Sequence, residues 1–362
     1  MPILIVWALL VVFGLFGMYS VSIFESFTIT RVLRDEPTNY FYFYAHLEKV
    51  LLWIWLCILV YFIPLKWFRK SRYVIFLVTA LLMWLLFTDI WTSFGQWSLR
   101  WLEIWWWTIQ PWEFYMLWFV IFLADWLVRK KKLMSDHRYF LAFALIVVLW
   151  LFVFVLLPDF GTLMILWPVA LLMFWYGWWR LYYILITTIL WITGVLMASL
   201  QFSYVQDRLA YFFDSSVDQD HRWIWWQSRQ ALIAVGWWWW IGKWYGKWLQ
   251  KFWYLPEAQS DFIFAAFSEE IWFVWNLALL ALYFLLWWFV LIKLWSIDDE
   301  YYKLLAVWMI SLILIQTLVN IWVNIKLLPL TWVTLPFISH GWSALIVNMI
   351  KVMLLYKILY KR

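Results

Sequence analysis

Residues 139–157 read YFLAFALIVVLWLFVFVLL, a run of apolar side chains that contains no charged residue. A helix needs about 20 such residues to cross about 30 Å of hydrocarbon. Strands of a transmembrane barrel alternate apolar with polar residues, whereas this run is continuous. The stretch therefore predicts a membrane-spanning helix.

The same pattern recurs along the whole chain and predicts ten transmembrane helices. Their approximate bounds are 3–24, 46–63, 73–90, 112–128, 139–157, 163–175, 181–201, 271–294, 304–324 and 344–359. The composition agrees, because 67% of the residues are hydrophobic and 13% charged, against about 25% charged in soluble domains. We expect an all-α polytopic membrane protein in which residues 1–362 form a single membrane domain.

The charges predict the orientation of the chain in the membrane. Ten helices place both termini on one side, and the short basic turns, among them 66–72 and 129–138, fall on that side. The positive-inside rule makes this side the cytoplasm. The longest interruption, residues 203–270 between the seventh and eighth predicted helices, then forms one large extracytoplasmic loop.

Several classes of function are disfavoured by the bulk numbers. The net charge of +6 is spread over short loops, so it indicates orientation and not a nucleic-acid surface. The single cysteine, Cys57, provides no disulfide or metal framework. The first apolar run lacks a basic segment before it and a small-residue cleavage site, so we expect a retained helix and not a removed signal peptide.

One carboxylate has an unusual position for a membrane protein. Asp261 lies in WYLPEAQSDFIFAAFSEE, residues 253–270, directly before an apolar run. An acid there is costly unless it has a partner or a task. It is a candidate general base, and the alternative is an N-cap for the helix that follows.

Other polar residues allow both structural and functional interpretations. Glu113 opens the fourth predicted helix, where the helix dipole favours an acid, so it is either a cap or a site residue. Asn320 and Asn324 are one helical turn apart, and we expect them to join helices. The four histidines, scattered over the chain without ligand spacing, predict no metal site formed by the protein alone.

The tryptophan content is anomalous. The chain has 39 Trp against 10 Gly, and the Trp residues occur in blocks such as 105–107 and 237–240. Membrane helices normally use Gly freely, whereas Trp concentrates at the interfaces. We hypothesise that many of these positions are Gly in the native protein, because some bacteria read the UGA codon as Gly. An aromatic membrane anchor explains single residues such as Trp67 but not the blocks.

Four motifs resemble those of the SEDS family of peptidoglycan glycan polymerases, the FtsW/RodA/SpoVE group. They are RWLEIWWWTIQPWEF (100–114), PDFGT (158–162), YLPEAQSDFIFAAFSEE (254–270) and LLPLTWVTLPFISHGWSAL (327–345). The resemblance covers nearly the whole chain, and LPEA and TLPFIS are closest to the FtsW-type branch. Where the family has Gly, this chain often has Trp, at Trp238, Trp239, Trp244, Trp322, Trp332 and Trp342.

The resemblance implies a glycosyltransferase of the bacterial cytoplasmic membrane that polymerises lipid II in cell division or cell-shape maintenance. The family's catalytic Asp falls on Asp261. We expect the substrate to be bound by residues in the shared motifs and outside loops, namely Arg100, Gln110, Glu113, Lys243, Lys247, Glu257 and Ser339. The alternative for the basic residues among them is a solvated face that touches anionic head groups.

The resemblance also implies partners and leaves some questions open. The expected partners are lipid II, a class B penicillin-binding protein and other division or elongation membrane proteins, without nucleic acid. A divalent cation, Mg²⁺ or Mn²⁺, held by the substrate pyrophosphate and Asp261 is an expected cofactor. A lipid II flippase and a non-enzymatic division scaffold are the alternative functions.

Three departures from the family pattern leave the charge partner of the site undetermined. Gln259 and Ser260 stand where the family usually has His-Thr. Met116 stands where the family often has Lys, three residues after Glu113, and His340 stands where it typically has Tyr.

Overall fold

The structure is a computed structural model. It describes residues 2–33, 37–88, 101–104, 107–133, 137–157, 159–176, 181–213, 222–236, 255, 258–270 and 273–360. Within these ranges the chain is almost entirely helical. The helices are α1 (Pro2–Val21), α2 (Ile23–Leu33), α3 (Phe41–Phe62), α4 (Leu65–Leu85), α5 (Pro111–Lys130), α6 (His137–Leu156), α7 (Phe160–Tyr176), α8 (Leu181–Gln201), α9 (Ser203–Phe213), α10 (Arg222–Gly236), α11 (Ile263–Glu270), α12 (Phe273–Leu294), α13 (Glu300–Asn324) and α14 (Trp342–Tyr360).

Each of the ten predicted membrane helices corresponds to a helix of the structure. In the described part of the chain, seven helices are long and apolar enough to cross a membrane, namely α1, α3, α5, α6, α12, α13 and α14. The other three predicted spans correspond to α4, α7 and α8. The basic run 66–72 was predicted to be a turn, and this is wrong, because it forms the first two turns of α4. The chain is a multi-pass all-α membrane protein, as the apolar runs predict.

The stretch 139–157 illustrates how these helices are built. In α6 one face is buried, with Phe143, Val147 and Phe154 at most 4% exposed. The opposite face, which includes Leu141, Leu145, Val148 and Phe152, is more than half exposed. Because all of these residues are apolar, the exposed face suits contact with lipid and not with water.

The connections contain more structure than the sequence predicts. Residues 25–33, expected as part of an outside loop, belong to α2. The loop before α5 contains a two-stranded antiparallel hairpin, β1 (Leu102–Ile104) and β2 (Trp107–Ile109), with Leu102 opposite Ile109. The expected loop 203–270 includes α9, α10 and α11. These are short elements, which a search for 20-residue apolar runs does not detect.

The chain divides into two compact units. The first unit comprises Met1–Ile58, Gln206–Phe289 and Gln316–Gly341. In it, α11 packs on α1 and α10, and Gly17 of α1 leaves room for the ring of Phe267. The prediction of one membrane domain over residues 1–362 stays a prediction.

The second unit comprises Leu59–Val205, Val290–Ile315 and Trp342–Arg362. Here α5 is the central helix and packs against α4 and α14. Its side chains stack with those of α6, where the Phe119 and Trp150 rings lie 3.7 Å apart and nearly parallel. Most residues of α5 are therefore buried, including the charged residues Glu113 and Asp125.

Candidate functional site

Asp261 lies in the first unit, in a turn formed by residues 258–262 that leads into α11. Its residue is half-buried, whereas its neighbours Phe262 and Ile263 are fully buried. The turn therefore lies at the edge of the apolar core. We refer to residues 258–262 as the Asp261 turn.

Two asparagines of α13 hold the backbone of the Asp261 turn. The Nδ2 atoms of Asn320 and Asn324 donate hydrogen bonds to the carbonyl oxygen of Asp261, at 2.9 and 3.1 Å. The Oδ1 of Asn324 accepts the backbone N–H of Ala265 at 3.1 Å, which fixes the orientation of its amide. The expected role of these residues, joining helices, is thus extended to positioning the candidate catalytic residue.

A second segment, residues 329–341, holds the same turn from another direction. The Ser339 hydroxyl donates to the carbonyl of Ser260 and accepts the N–H of Leu335 at 2.8 Å. The backbone N–H of His340 donates to the carbonyl of Gln259 at 2.9 Å. Ser339 was expected to bind substrate, and its hydroxyl proton is already used to anchor the turn. Its substrate-binding role stays a prediction.

The 329–341 segment is itself tightly fixed. The Nε2 of Gln316 donates to the carbonyl oxygen of Thr334 at 3.2 Å, and the hydroxyl of Tyr283 donates to the carbonyl oxygen of Pro336. Phe337 has a left-handed backbone conformation, φ 69°, which is rare for a bulky residue. Such strain persists only where the surroundings enforce it, so this segment is a rigid support for the turn.

A cluster of basic side chains adjoins residues 329–341, which we refer to as the support segment. The Lys49 Nζ lies 3.0 Å from the His340 Nε2, and the His46 and His340 rings are 5.6 Å apart. Burial, and then the charge of Lys49 and the neighbouring His46, hold the pKa of His340 well below its usual value. A neutral imidazole accepts a hydrogen bond from the Lys49 ammonium through Nε2. This cluster is a candidate source of positive charge beside the Asp261 turn.

The sequence contains a signal for this cluster. His46 and Lys49 are three residues apart, so they share one face of α3, whose other charged residue is Glu48. Ionisable residues inside a membrane helix mark functional positions more often than not. The partner His340 is distant in sequence, and only the tertiary structure brings it to them.

The remaining predicted site residues of the described chain lie in the second unit. Gln110 precedes α5, and its backbone N–H donates to the Ser343 hydroxyl at 2.8 Å. Glu113 is completely buried, and within the described residues neither carboxylate oxygen has a hydrogen-bond partner, so it makes no capping bond there. Arg100, Lys243, Lys247 and Glu257 lie outside the described residues, as do the Trp blocks 105–106 and 237–240.

Asp159 has a structural role at the start of α7. Asp159 caps α7, because its carboxylate accepts the backbone N–H and the hydroxyl of Thr162 at 3.2 and 2.7 Å. Within the described ranges, no group of three or more His, Cys, Asp or Glu residues is arranged to hold a metal ion.

Comparison with known proteins gives matches over the full length. A family model described as a cell cycle protein, FTSW_RODA_SPOVE, matches residues 1–362. The probable peptidoglycan glycosyltransferase FtsW of Nitrosomonas europaea is 31% identical over 97% of this chain and 90% of its own length. Stage V sporulation protein E of Bacillus subtilis is 34% identical over 66% of this chain and 65% of its own length.

Solved structures share the fold. A chain from a peptidoglycan synthase complex that coordinates polymerization and crosslinking superimposes with a TM-score of 0.79 at 18% identity, covering 99% of this chain and 98% of that one. The rod shape determining protein RodA of Thermus thermophilus superimposes with a TM-score of 0.70, also at 18% identity, covering 99% of this chain and 97% of its own. At this identity the likeness establishes the architecture alone.

Proposed function

The chain belongs to the FtsW/RodA/SpoVE family of cell cycle proteins, and from this premise we propose that it is a peptidoglycan glycosyltransferase that polymerises glycan strands from lipid II. The relatives named peptidoglycan glycosyltransferase FtsW support the reaction class. The similarity to FtsW relatives favours a role in cell division over elongation.

The observation that carries the proposal is the fixed position of Asp261. Its backbone is held by Asn320, Asn324 and, through Ser260, by Ser339, while its residue remains half-buried at the edge of the core. A general base must lie within hydrogen-bond reach of the proton it removes, and a clamped backbone restricts where the carboxylate can go. A residue that only caps a helix would not require this many hydrogen bonds to the backbone of its turn.

In the proposed reaction the Asp261 carboxylate accepts the proton of an acceptor sugar hydroxyl. The hydroxyl oxygen forms a bond to the anomeric carbon of the donor, and the bond from that carbon to the lipid pyrophosphate breaks. The electron pair of the broken bond leaves with the undecaprenyl pyrophosphate. One carboxylate suffices because pyrophosphate is already a good leaving group, in contrast to glycosidases, which use a second acid.

The leaving pyrophosphate needs positive charge. Lys49, together with Arg100, Lys243 and Lys247 as the sequence predicts, is the candidate source. A divalent cation shared between the pyrophosphate and Asp261 fits the chemistry of this carboxylate, since Mg²⁺ is commonly held by one or two carboxylates and substrate phosphates. Such an ion would add charge that stabilises the leaving group.

The partner and the orientation are parts of the same proposal. A class B penicillin-binding protein is the partner that would crosslink the new strands, and the synthase complex with the same fold supports this pairing. In this proposal both termini lie in the cytoplasm and the Asp261 turn faces outward, where lipid II presents its sugars.

The test uses purified chain and lipid II. Asp261→Asn keeps the size of the side chain but removes the base, so strand formation should fall by at least about 100-fold while the melting temperature stays within a few degrees. Asp207→Asn, on α9, is a matched control for removal of an acid. Strand formation at the normal rate by the Asp261→Asn variant would rule out Asp261 as the base. Measuring lipid II translocation with the same variant separates the flippase alternative.

A further inference from the structure

The second unit contains a group of buried charges that the proposed reaction does not explain. Glu113 of α5 and Lys351 of α14 are each 0% exposed, and Asp159 at the start of α7 is 3% exposed. The Lys351 ammonium attracts the Glu113 carboxylate, whereas the Asp159 carboxylate repels it. Since Asp159 already accepts two hydrogen bonds from Thr162, Glu113 is the acid that lacks a bonded donor among the described residues.

The geometry of the two helices brings Lys351 to the level of Glu113. The Gln110 N–H bonds to Ser343, so the N-terminal ends of α5 and α14 lie side by side. At about 1.5 Å per residue, Glu113 lies one turn below this point and Lys351 about two turns below. Side chains of a helix lean toward its N-terminus. Lys351 does so, because its Nζ donates to the Oδ1 of Asn348 at 3.1 Å.

A buried carboxylate without a counter-charge is costly. Removing one partner of a buried ion pair leaves an uncompensated charge, which is strongly destabilising. Inside a membrane protein, ionisable groups face the interior and pair with one another. A nearby cation lowers the cost of burying the Glu113 carboxylate, and within the described part of the second unit Lys351 is the buried cation that acts on it.

We propose that Lys351 is a positioning residue, the buried cation that pairs with Glu113 and orients its carboxylate for glycan polymerisation. The catalytic part of this proposal rests on the proposed function, whereas the pairing itself does not. The cation comes from α14 although Glu113 belongs to α5, so the pair also ties the start of α5, next to the hairpin β1–β2, to α14.

The chain offers a direct test, because a second position can supply the same charge. Met116 is 1% exposed and lies three residues after Glu113, so it shares the face of α5 that carries Glu113. A lysine at this position can reach the Glu113 carboxylate from its own helix. The variants are K351M, E113Q, M116K/K351M and E113Q/K351M, and each is measured for melting temperature and for lipid II polymerisation with kcat and KM separated.

K351M should lower the melting temperature by on the order of 5 °C and should reduce kcat by about tenfold or more with a smaller change in KM. M116K/K351M should recover both quantities. K357M is the matched control, because the Lys357 ammonium on the same helix bonds to the carbonyls of Val60 and Ile63. Adding M116K to K357M should recover nothing.

Three results would overturn the proposal. The first is a K351M variant with the normal melting temperature and kcat. The second is an M116K/K351M variant that recovers the melting temperature but not kcat, which would show that Lys351 contributes to folding only. If M116K itself prevents folding, E113Q/K351M decides: it should melt above both single variants, and a lower value refutes the pairing. If the unmodified chain makes no glycan, the proposed function fails while the melting temperatures still test the pair.

Discussion

Asn324 and Asp261 are joined by a hydrogen bond from the Nδ2 of the asparagine to the backbone carbonyl of the aspartate, at 3.1 Å. The same amide accepts the N–H of Ala265 through Oδ1, so one side chain of α13 spans the turn and the first residues of α11. The position of the candidate base is therefore set by a residue more than 60 positions later in the chain.

Replacing Asn324 should affect both stability and activity. Asn324→Ala leaves the buried N–H of Ala265 without its acceptor, and an unmet buried group costs about 1–3 kcal/mol. Polymerisation should fall more than the folded fraction, because the Asp261 turn loses a support. Ser311→Ala on the same helix is the control, since its hydroxyl bonds to the Val307 carbonyl one turn earlier. Equal effects of the two variants would contradict a specific role for Asn324.

Gly14 of α1 is predicted to be irreplaceable. A Cβ at this position would lie 2.7 Å from the Phe337 carbonyl oxygen and 2.9 Å from the Ile338 Cα, both backbone atoms of the support segment. Gly14→Ala should therefore destabilise the fold by about 1–3 kcal/mol and lower activity.

The control for Gly14 lies in α8. A Cβ at Gly194 meets nothing within 4 Å, so Gly194→Ala should be neutral or stabilise the helix by up to about 1 kcal/mol. Thermal unfolding of both variants in detergent is the measurement. A harmless Gly14→Ala would mean that the segment 329–341 is not held against α1.

The stability of the protein should depend on pH through His340. Its pKa is held well below the unfolded value of about 6.5, because of burial and then the charges of Lys49 and His46. The unfolded chain then binds more protons, so stability rises with pH in this range. The contribution of neutral His340 is complete above about pH 6.5 and is lost as the pH falls toward the folded pKa.

The corresponding measurement is the melting temperature between pH 7.5 and pH 5.5. It should drop on acidification, because a protonated His340 would oppose the Lys49 ammonium, whose Nζ is 3.0 Å from its Nε2. His340→Gln keeps an acceptor for Lys49 and has no charge to gain, so its melting temperature should fall less steeply. An unchanged slope in that variant would assign the pH dependence to other groups.

Asp125 of α5 should be the most sensitive acid of the second unit. Its buried carboxylate is paired with the Nε atoms of Arg69, Arg72 and Arg129 at 2.7, 2.8 and 2.7 Å. Asp125→Asn removes the charge that three guanidinium groups share, so we expect a loss of about 3–5 kcal/mol. Asp299→Asn removes an acid that is 45% exposed and 3.6 Å from Arg69, and it should cost less than about 1 kcal/mol. Similar losses for both would refute this ranking.

The tryptophan hypothesis has its own test. If UGA codons are read as Gly in the source organism, peptides of the native protein that cover Trp322, Trp332 and Trp342 should show glycine by mass spectrometry. UGG codons at Trp237–Trp239 would exclude the idea for that block. The outcome matters for Arg208, whose guanidinium lies 4.6 Å from the centre of the Trp332 ring.

The sequence by itself determined the membrane helices and the family. Continuous apolar runs near 20 residues leave the backbone no alternative to internal hydrogen bonding, so nine of the ten helices could be located within about five residues at each end. The exception is α4, which begins at Leu65, eight residues before the predicted start, because its first turns are basic. The motifs around Asp261 and Gln110 are local strings, and they identify the family without any knowledge of contacts. The sequence did not predict the short elements α2, α9 and α10 or the hairpin, because their apolar patterns are too short to be distinctive.

The tertiary structure decided which residues support the site. Asn320 and Asn324 clamp the Asp261 turn, Lys49 meets His340 almost 300 positions away, and Lys351 lies buried with Glu113. None of these pairs has a spacing that a pattern can detect, because each joins different helices or loops. These pairs form because burying a polar or charged group without a partner is unfavourable. The partner of each group is determined by how the helices pack, which the sequence pattern does not show.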